Sequence, residues 1–337
     1  MKKRVLPPEW AEQEYVQLTW PHAASDWAPY LNEAIACFKE IAKAVIKHQK
    51  LIIVCVSIKE VKEALQDVDL SKISFIETNT NDTWARDHGG ITVIEEDKGV
   101  IHDFMFNGWG LKFASNYDNL ITKELYTKLL SSKYQYRNQL NFILEGGGIE
   151  SDGEGTLLTT AECLLSPNRN GGSSKEEIEL FLKKEFGLDR ILWLNHGYLA
   201  GDDTDSHVDT LARLCSVDTI AYVQCKDKAD EHYEALKLME DELKSFKTAQ
   251  GEPYRLIALP MAEPVEFEGE RLPATYANFL IMNGAVLVPT YNSTLDKVAL
   301  DALKQVFTDR EIVGIDCSVL IKQHGSLHCV TMQYPKI

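Results

Sequence analysis

The 337-residue chain is 45% hydrophobic and 26% charged, with 20 Gly and 11 Pro scattered through it, which is ample material for a packed core. Lys plus Arg total 35 against 51 Asp plus Glu, a formal net charge of −16; nucleic acid is repelled by such a surface and a small cation is attracted to it. No run approaches the ~20 apolar residues of a membrane helix, and the basic start Lys2-Lys3-Arg4 has no apolar stretch behind it, so the expectation is a cytoplasmic protein without a membrane partner.

The seven cysteines show no C-x-x-C spacing, which suggests neither a disulfide framework nor a thiolate zinc site. An aromatic entry segment over 8–30, with Trp10, Trp20 and Trp27, reads as core anchoring. Helical periodicity follows over 30–48, then the all-apolar strand 51–56, a short helix over 60–66 and a strand over 73–77.

The polar string Asn79 to Gly90, containing Trp84-Ala85-Arg86-Asp87-His88-Gly89, interrupts two apolar strands and reads as a loop. Strands over 91–94 and 100–106 lead to a turn at Gly108-Trp109-Gly110, where the indole either lines a pocket or plugs the core. A helix over 120–130 and a strand over 141–144 end in Glu145-Gly146-Gly147-Gly148. Three glycines in a row cost backbone entropy; beside an acid, and with no following Lys-Ser/Thr, they indicate close approach to something other than phosphate.

A hairpin over 149–160, a turn over 166–172, a helix over 175–186 and a strand over 191–194 precede Asp202-Asp203-Thr204-Asp205-Ser206-His207-Val208-Asp209. This acidic run lacks the Gly and distal Glu of a calcium loop, and zinc would want more imidazole or thiolate. Placed on a strand, His207 and Asp209 share one face. Strands to 224, a helix over 230–247, strands over 254–262, 276–282 and 285–289, a helix over 297–307 and strands over 311–315 and 326–332 complete the chain. On the last strand Cys329 and His328 face opposite ways, and His328 is read as structural. The rhythm of helices near 30, 120, 175, 230 and 297 suggests repeated ββαβ units in an α/β fold.

Trp84-Ala85-Arg86-Asp87-His88-Gly89, Glu145-Gly146-Gly147, Asp205-Ser206-His207-Val208-Asp209, Tyr276-Ala277-Asn278 and His328-Cys329-Val330-Thr331, in this order, resemble the agmatine deiminase and bacterial-type peptidylarginine deiminase family of guanidine-modifying enzymes. The resemblance covers essentially the whole chain. It implies one domain over 1–337 with a fivefold pseudosymmetric α/β propeller of ββαβ units, the pentein fold. It also implies a small cationic guanidine substrate such as agmatine, a place in polyamine (putrescine) biosynthesis, no metal and no organic cofactor, and a homodimer or higher homo-oligomer. Gln323, His324 and Ser326 depart from the agmatine branch, as do Gly90 and Ser206, and these changes bear on the tail of the substrate.

The same residues suit the chemistry that the resemblance implies. A guanidinium is planar and always charged: Asp87 and Asp209 would pair with its nitrogens, Cys329 would attack as thiolate, His207 would move protons, and Glu145 would orient His207. Trp84, Trp109 and Asn278 would wall or support the pocket, and Asp202, Asp203 or Asp205 would receive a substrate amine. Deimination of peptidyl or free arginine, guanidine binding without turnover, and amidine transfer are the competing readings.

Overall fold

Five sheets in this computed structural model repeat one pattern, a first strand antiparallel to a second and a third parallel to the second, reached through a helix. The structure describes residues 4–337, so the basic start at residues 2 and 3 lies outside it. The α/β class and the repeated units follow from this pattern.

In chain order the complete units are Ile91–Glu95, Lys98–Met105, helix Asp118–Lys128 and Tyr134–Ile143; Ile149–Ser151, Thr156–Thr160, helix Lys175–Phe186 and Arg190–Leu194; Ala212–Ser216, Thr219–Gln224, helix Tyr233–Ser245 and Arg255–Pro260; and Leu280–Met282, Ala285–Thr290, helix Asp296–Lys304 and Glu311–Asp316. The fifth joins both ends of the chain. Its first strand is Thr331–Pro335, antiparallel to Gln13–Thr19, which leads through helix Leu31–His48 to the parallel strand Lys50–Cys55 and an added parallel strand Ile73–Glu77.

Local sequence accounts for these elements. Leu51 to Cys55 are all buried because their strand is flanked on both edges by parallel neighbours and covered by helix Leu31–His48, whose Ala34, Phe38, Ile41 and Val45 form the apolar stripe. Helix Lys175–Phe186 starts in a capping box between Ser174 and Glu177 and stops at Gly187, whose φ of 71° is left-handed. No helix among the described residues is long and apolar enough to cross a membrane.

Four readings change, the first being the strand expected over 276–282, which is confined to Leu280–Met282 and leaves Asn278 in the turn before it. Residues 85–88, within the predicted loop, form one helical turn, Ala85–His88. His207 and Asp209 lie at a 3-10 turn, Val208–Thr210, and not on a strand. The closing strand is Thr331–Pro335, so Cys329 and His328 sit in the turn before it. In each case a short turn leads into the first strand of a unit, where polar side chains compete with strand pairing.

The turn before each first strand delivers one part of the predicted constellation: Asp87 before Ile91, Glu145 before Ile149, Asp209 before Ala212, Asn278 before Leu280 and Cys329 before Thr331. Tyr334, fully buried, anchors the closing strand and donates its hydroxyl to Gln17 Oε1 at 2.8 Å. Replacing Tyr334 by Ala is expected to cost about 3–5 kcal/mol in urea unfolding. A loss below about 1 kcal/mol would mean that the closing strand lies outside the cooperative core.

Candidate active site

Gly147 sits where three functional side chains meet. A Cβ on it would stand 2.5 Å from His207 Nδ1, 2.8 Å from Asp87 Oδ1 and 3.2 Å from Asp209 Oδ2. Only a residue without a side chain lets the three approach one point, which is the physical reason for a glycine there.

Asp87 is buried, with its Oδ1 accepting from the Gly147 amide at 3.1 Å and its Oδ2 from the Trp109 indole at 3.0 Å. Trp109 reaches it from a left-handed backbone, φ 54°, between Gly108 and Gly110 at φ 64° and 88°. The indole therefore both lines the pocket and holds a carboxylate. Burial, then the charges of Asp209 and Glu145, push the Asp87 carboxyl well above its usual range.

Asp209 is fully buried, yet its carboxyl is held below the usual range. Burial opposes ionisation there too, but the hydrogen bond and charge of His328 outweigh it. Asp209 Oδ2 meets His328 Nδ1 at 2.7 Å, whereas Oδ1 has no hydrogen-bond partner among the described residues.

His207 is fully buried, its Nδ1 lies 3.5 Å from Asp87 Oδ1, and neither ring nitrogen has a hydrogen-bond partner among the described residues. Burial lowers it to about 3. Glu145 is also fully buried, but both of its oxygens accept from Arg169 Nε at 2.9 Å. The expectation that Glu145 orients His207 by hydrogen bonding gives way to this ion pair, which satisfies the carboxylate with a guanidinium.

Asn278 supports the cysteine turn. Its Oδ1 accepts from the amides of His328 at 2.8 Å and Cys329 at 3.3 Å and lies 3.4 Å from Cys329 Sγ. The Arg86 amide donates to the Cys329 carbonyl at 3.1 Å, joining the helical turn of Asp87 to that of the cysteine. Burial, then Asp209 and Asp87, push the Cys329 thiol well up.

A cavity of about 150 Å³ opens over these groups, lined among others by Trp84, Asp87, Trp109, Asp203 and Cys329. His207, Asp209, Glu145 and Asn278 are fully buried and do not line it. The three loop acids divide: Asp202 accepts from Thr204 and Ser206 within its own loop, Asp205 binds Arg169 and Lys112, and only Asp203 lines the cavity.

Donor atoms of Glu145, Cys163 and His207 lie within 4.8 Å of one another, as do those of Glu9, Glu150 and His328. Each set already holds an arginine, Arg169 on Glu145 and Arg213 on Glu150, and a metal ion would sit against that cation.

The arrangement sets buried carboxylates around one point beside a thiol, a set whose charge and shape suit a planar cation. Against known proteins, the family model for Porphyromonas-type peptidyl-arginine deiminase matches residues 5–335. The chain belongs to this family. It is 32% identical to the agmatine deiminase of Stutzerimonas stutzeri over 352 residues, covering 98% of this chain and 95% of that protein. Among solved structures it is similar to the putative arginine deiminase of Porphyromonas gingivalis, 55% identical with a TM-score of 0.95 and 99% of each chain covered. It is also similar to a cysteine-to-serine variant of the C. jejuni agmatine deiminase with substrate bound, 40% identical with a TM-score of 0.93, covering 99% of this chain and 97% of that one.

In this member of the peptidyl-arginine deiminase family, sequence reasoning missed the charges behind the site. Arg169 stood in the turn at 166–172, and Glu9 stood in the segment read as core anchoring. Arg213 signals itself only as a charge at a fully buried position of strand Ala212–Ser216.

His207 is expected to stay neutral in the substrate-free protein down to about pH 3 in histidine NMR titrations. Below its ordinary 6.5 the unfolded chain takes up a proton that the folded site refuses, so this group's contribution to stability falls from pH 6.5 toward 3. Titration of His207 near 6.5 in the folded, empty protein would contradict the buried environment described.

Proposed function

We propose that this chain is an agmatine deiminase that hydrolyses the guanidinium of agmatine to N-carbamoylputrescine and ammonia, a hydrolysis at a C–N bond. The observation that carries this reading is the cavity lining, in which Cys329 stands beside Asp26, Asp82, Asp87 and Asp203 and no Lys or Arg is present. Agmatine carries a cation at each end. Its guanidinium suits the inner end at Asp87, and its ammonium suits the outer acids, Asp203 first among them. The carboxylate of free arginine would meet these acids without a cationic partner. The curated relatives named agmatine deiminase support the same substrate.

The chemistry proceeds without cofactor or metal. A guanidinium held by Asp87 and Asp209 brings positive charge next to the thiol and reverses the field that raises it. Cys329 passes its proton to His207 and attacks the guanidinium carbon. The tetrahedral adduct expels ammonia, which takes the proton from His207, and an S-alkylthiouronium remains on Cys329. His207, again neutral, removes a proton from water as the oxygen attacks that carbon. Collapse breaks the C–S bond and releases the ureido product; the hydroxyl proton lost as the carbonyl forms leaves with the ammonia as ammonium, and His207 returns its own proton to the thiolate. Glu145, paired with Arg169, lies close enough to favour the transient imidazolium electrostatically.

On this reading the five units stand around a pseudo-fivefold axis as one propeller domain over 1–337, since each inter-unit turn contributes to one site. A cytoplasmic homo-oligomer in putrescine-forming polyamine biosynthesis is the setting that the same reading carries.

The test is ureido-product formation with EDTA present on agmatine, free arginine and a peptide with internal arginine. The expected outcome is turnover of agmatine, lost by at least about a thousandfold in Cys329→Ala, with Asp203→Asn raising KM about threefold at unchanged kcat, the scale of one partly exposed charge pair. Turnover of arginine or peptide alone would replace the substrate. No turnover of any of them would favour a guanidine-binding protein.

A further inference from the structure

The two aspartates that flank the guanidinium position are built differently. Asp87 receives only neutral N–H donors, from Trp109 and Gly147. Asp209 receives a ring nitrogen of His328, and the other ring nitrogen of that histidine, Nε2, lies 2.5 Å from Glu9 Oε2.

A neutral imidazole has one N–H and a lone pair. On the Nδ1 side the Asp209 carboxylate is the acceptor, so Nδ1 carries a proton. On the other side Nε2 lies between Glu9 Oε2 and Arg213 Nη2, which reaches it at 3.1 Å and pairs with Glu9 Oε1 at 3.1 Å. Glu150 binds Arg213 from the other side at 2.5 Å, and Arg86 Nη2 stands 3.5 Å from Glu9 Oε2. In this buried cluster, which borders a cavity at Glu9, Arg86 and Glu150, the carboxylates of Glu9, Glu150 and Asp209 face Arg86, Arg213 and the ring of His328.

We propose that His328 is a positioning residue: by bridging Glu9 to Asp209 it fixes Asp209 Oδ2 and leaves Oδ1 as the fixed acceptor for the substrate guanidinium. The inference rests on the deiminase reading for the identity of the substrate. It goes beyond that reading in assigning the orientation of Asp209 to a residue outside the reacting set. His328 touches no reacting atom, because its two ring nitrogens are occupied by the carboxylates. Its backbone serves the site separately, through the amide bond to Asn278.

Two substitutions separate this role from simple core packing. Asn places its amide near the position of Nδ1 and can keep the bond to Asp209, while Gln places its amide near Nε2 and keeps only Glu9. His328→Gln is therefore expected to raise KM for agmatine, and to weaken agmatine binding by calorimetry in a Cys329→Ala background, by about tenfold or more, the scale of a lost charge-assisted hydrogen bond. His328→Asn is expected to retain most of that affinity, and iodoacetamide labelling of Cys329 to be similar in both. Equal affinity in the two variants, or loss of kcat without change in binding, would overturn the proposal. Should neither variant fold, 15N-histidine NMR of the unaltered protein decides, because the absence of any exchange-protected histidine with a protonated Nδ1 would overturn it. Failure of the deiminase reading is read separately, as absence of agmatine turnover by the unaltered protein.

Discussion

The pairing of strand Thr331–Pro335 with strand Gln13–Thr19 is the constraint on which the site depends. It brings the two ends of the chain into one sheet. Cys329 and His328 stand just before one strand, and Glu9 stands just before the other. Glu9 Oε1 also accepts from the Ile281 amide at 2.7 Å, so the entry segment is tied to a further unit behind the thiol. Cross-linking the ends by a ladder of backbone hydrogen bonds imposes a large loop closure, whose entropy grows slowly with length. Apolar burial at Leu18, Val16, Met332 and Tyr334 offsets it.

Within that frame the site concentrates carboxylates where burial opposes their charge. Asp87, Glu145 and Asp209 are all buried, and isolated anions there would be untenable. Glu145 pairs with Arg169, although burial still raises it, and Asp209 pairs with His328; Asp87 has no cationic partner of its own and is pushed well above its range. On the proposed reading a guanidinium brings positive charge to Asp87, so that binding and thiol activation become one electrostatic event.

The residues proposed for the chemistry stand out in the sequence because each lies in a short polar or glycine-rich string that packing does not require. The repeated units were legible in the spacing of the helices. The local geometry was less so. Alternation on a strand would put His207 and Asp209 side by side; they lie instead at a 3-10 turn, from which both side chains still reach Gly147. Turn and strand share the same polar-apolar lettering over so few residues, so periodicity does not separate them. The cluster of Glu9, Arg213, Glu150 and His328 was illegible for another reason. Its partners are up to 319 residues apart, and no local pattern tells which buried charge answers which.

On the proposed reading, chemistry and substrate choice are carried by different kinds of residue. Asp209, His207, Glu145 and Asn278 are fully buried and tied to charges or amides contributed by several units, so a change at any of them disturbs its neighbours. Asp203, with a side chain 41% exposed, sits on a loop, with His324 3.9 Å away on another. A residue so placed can be exchanged without repacking the floor of the site. The departures from the agmatine branch at Gln323, His324 and Ser326 fall in and beside this outer part, and Gln323 and His324 line the cavity itself. On the proposed reading the floor of the site carries the guanidinium chemistry and the rim, with Asp203, Gln323 and His324, decides what the guanidinium is attached to.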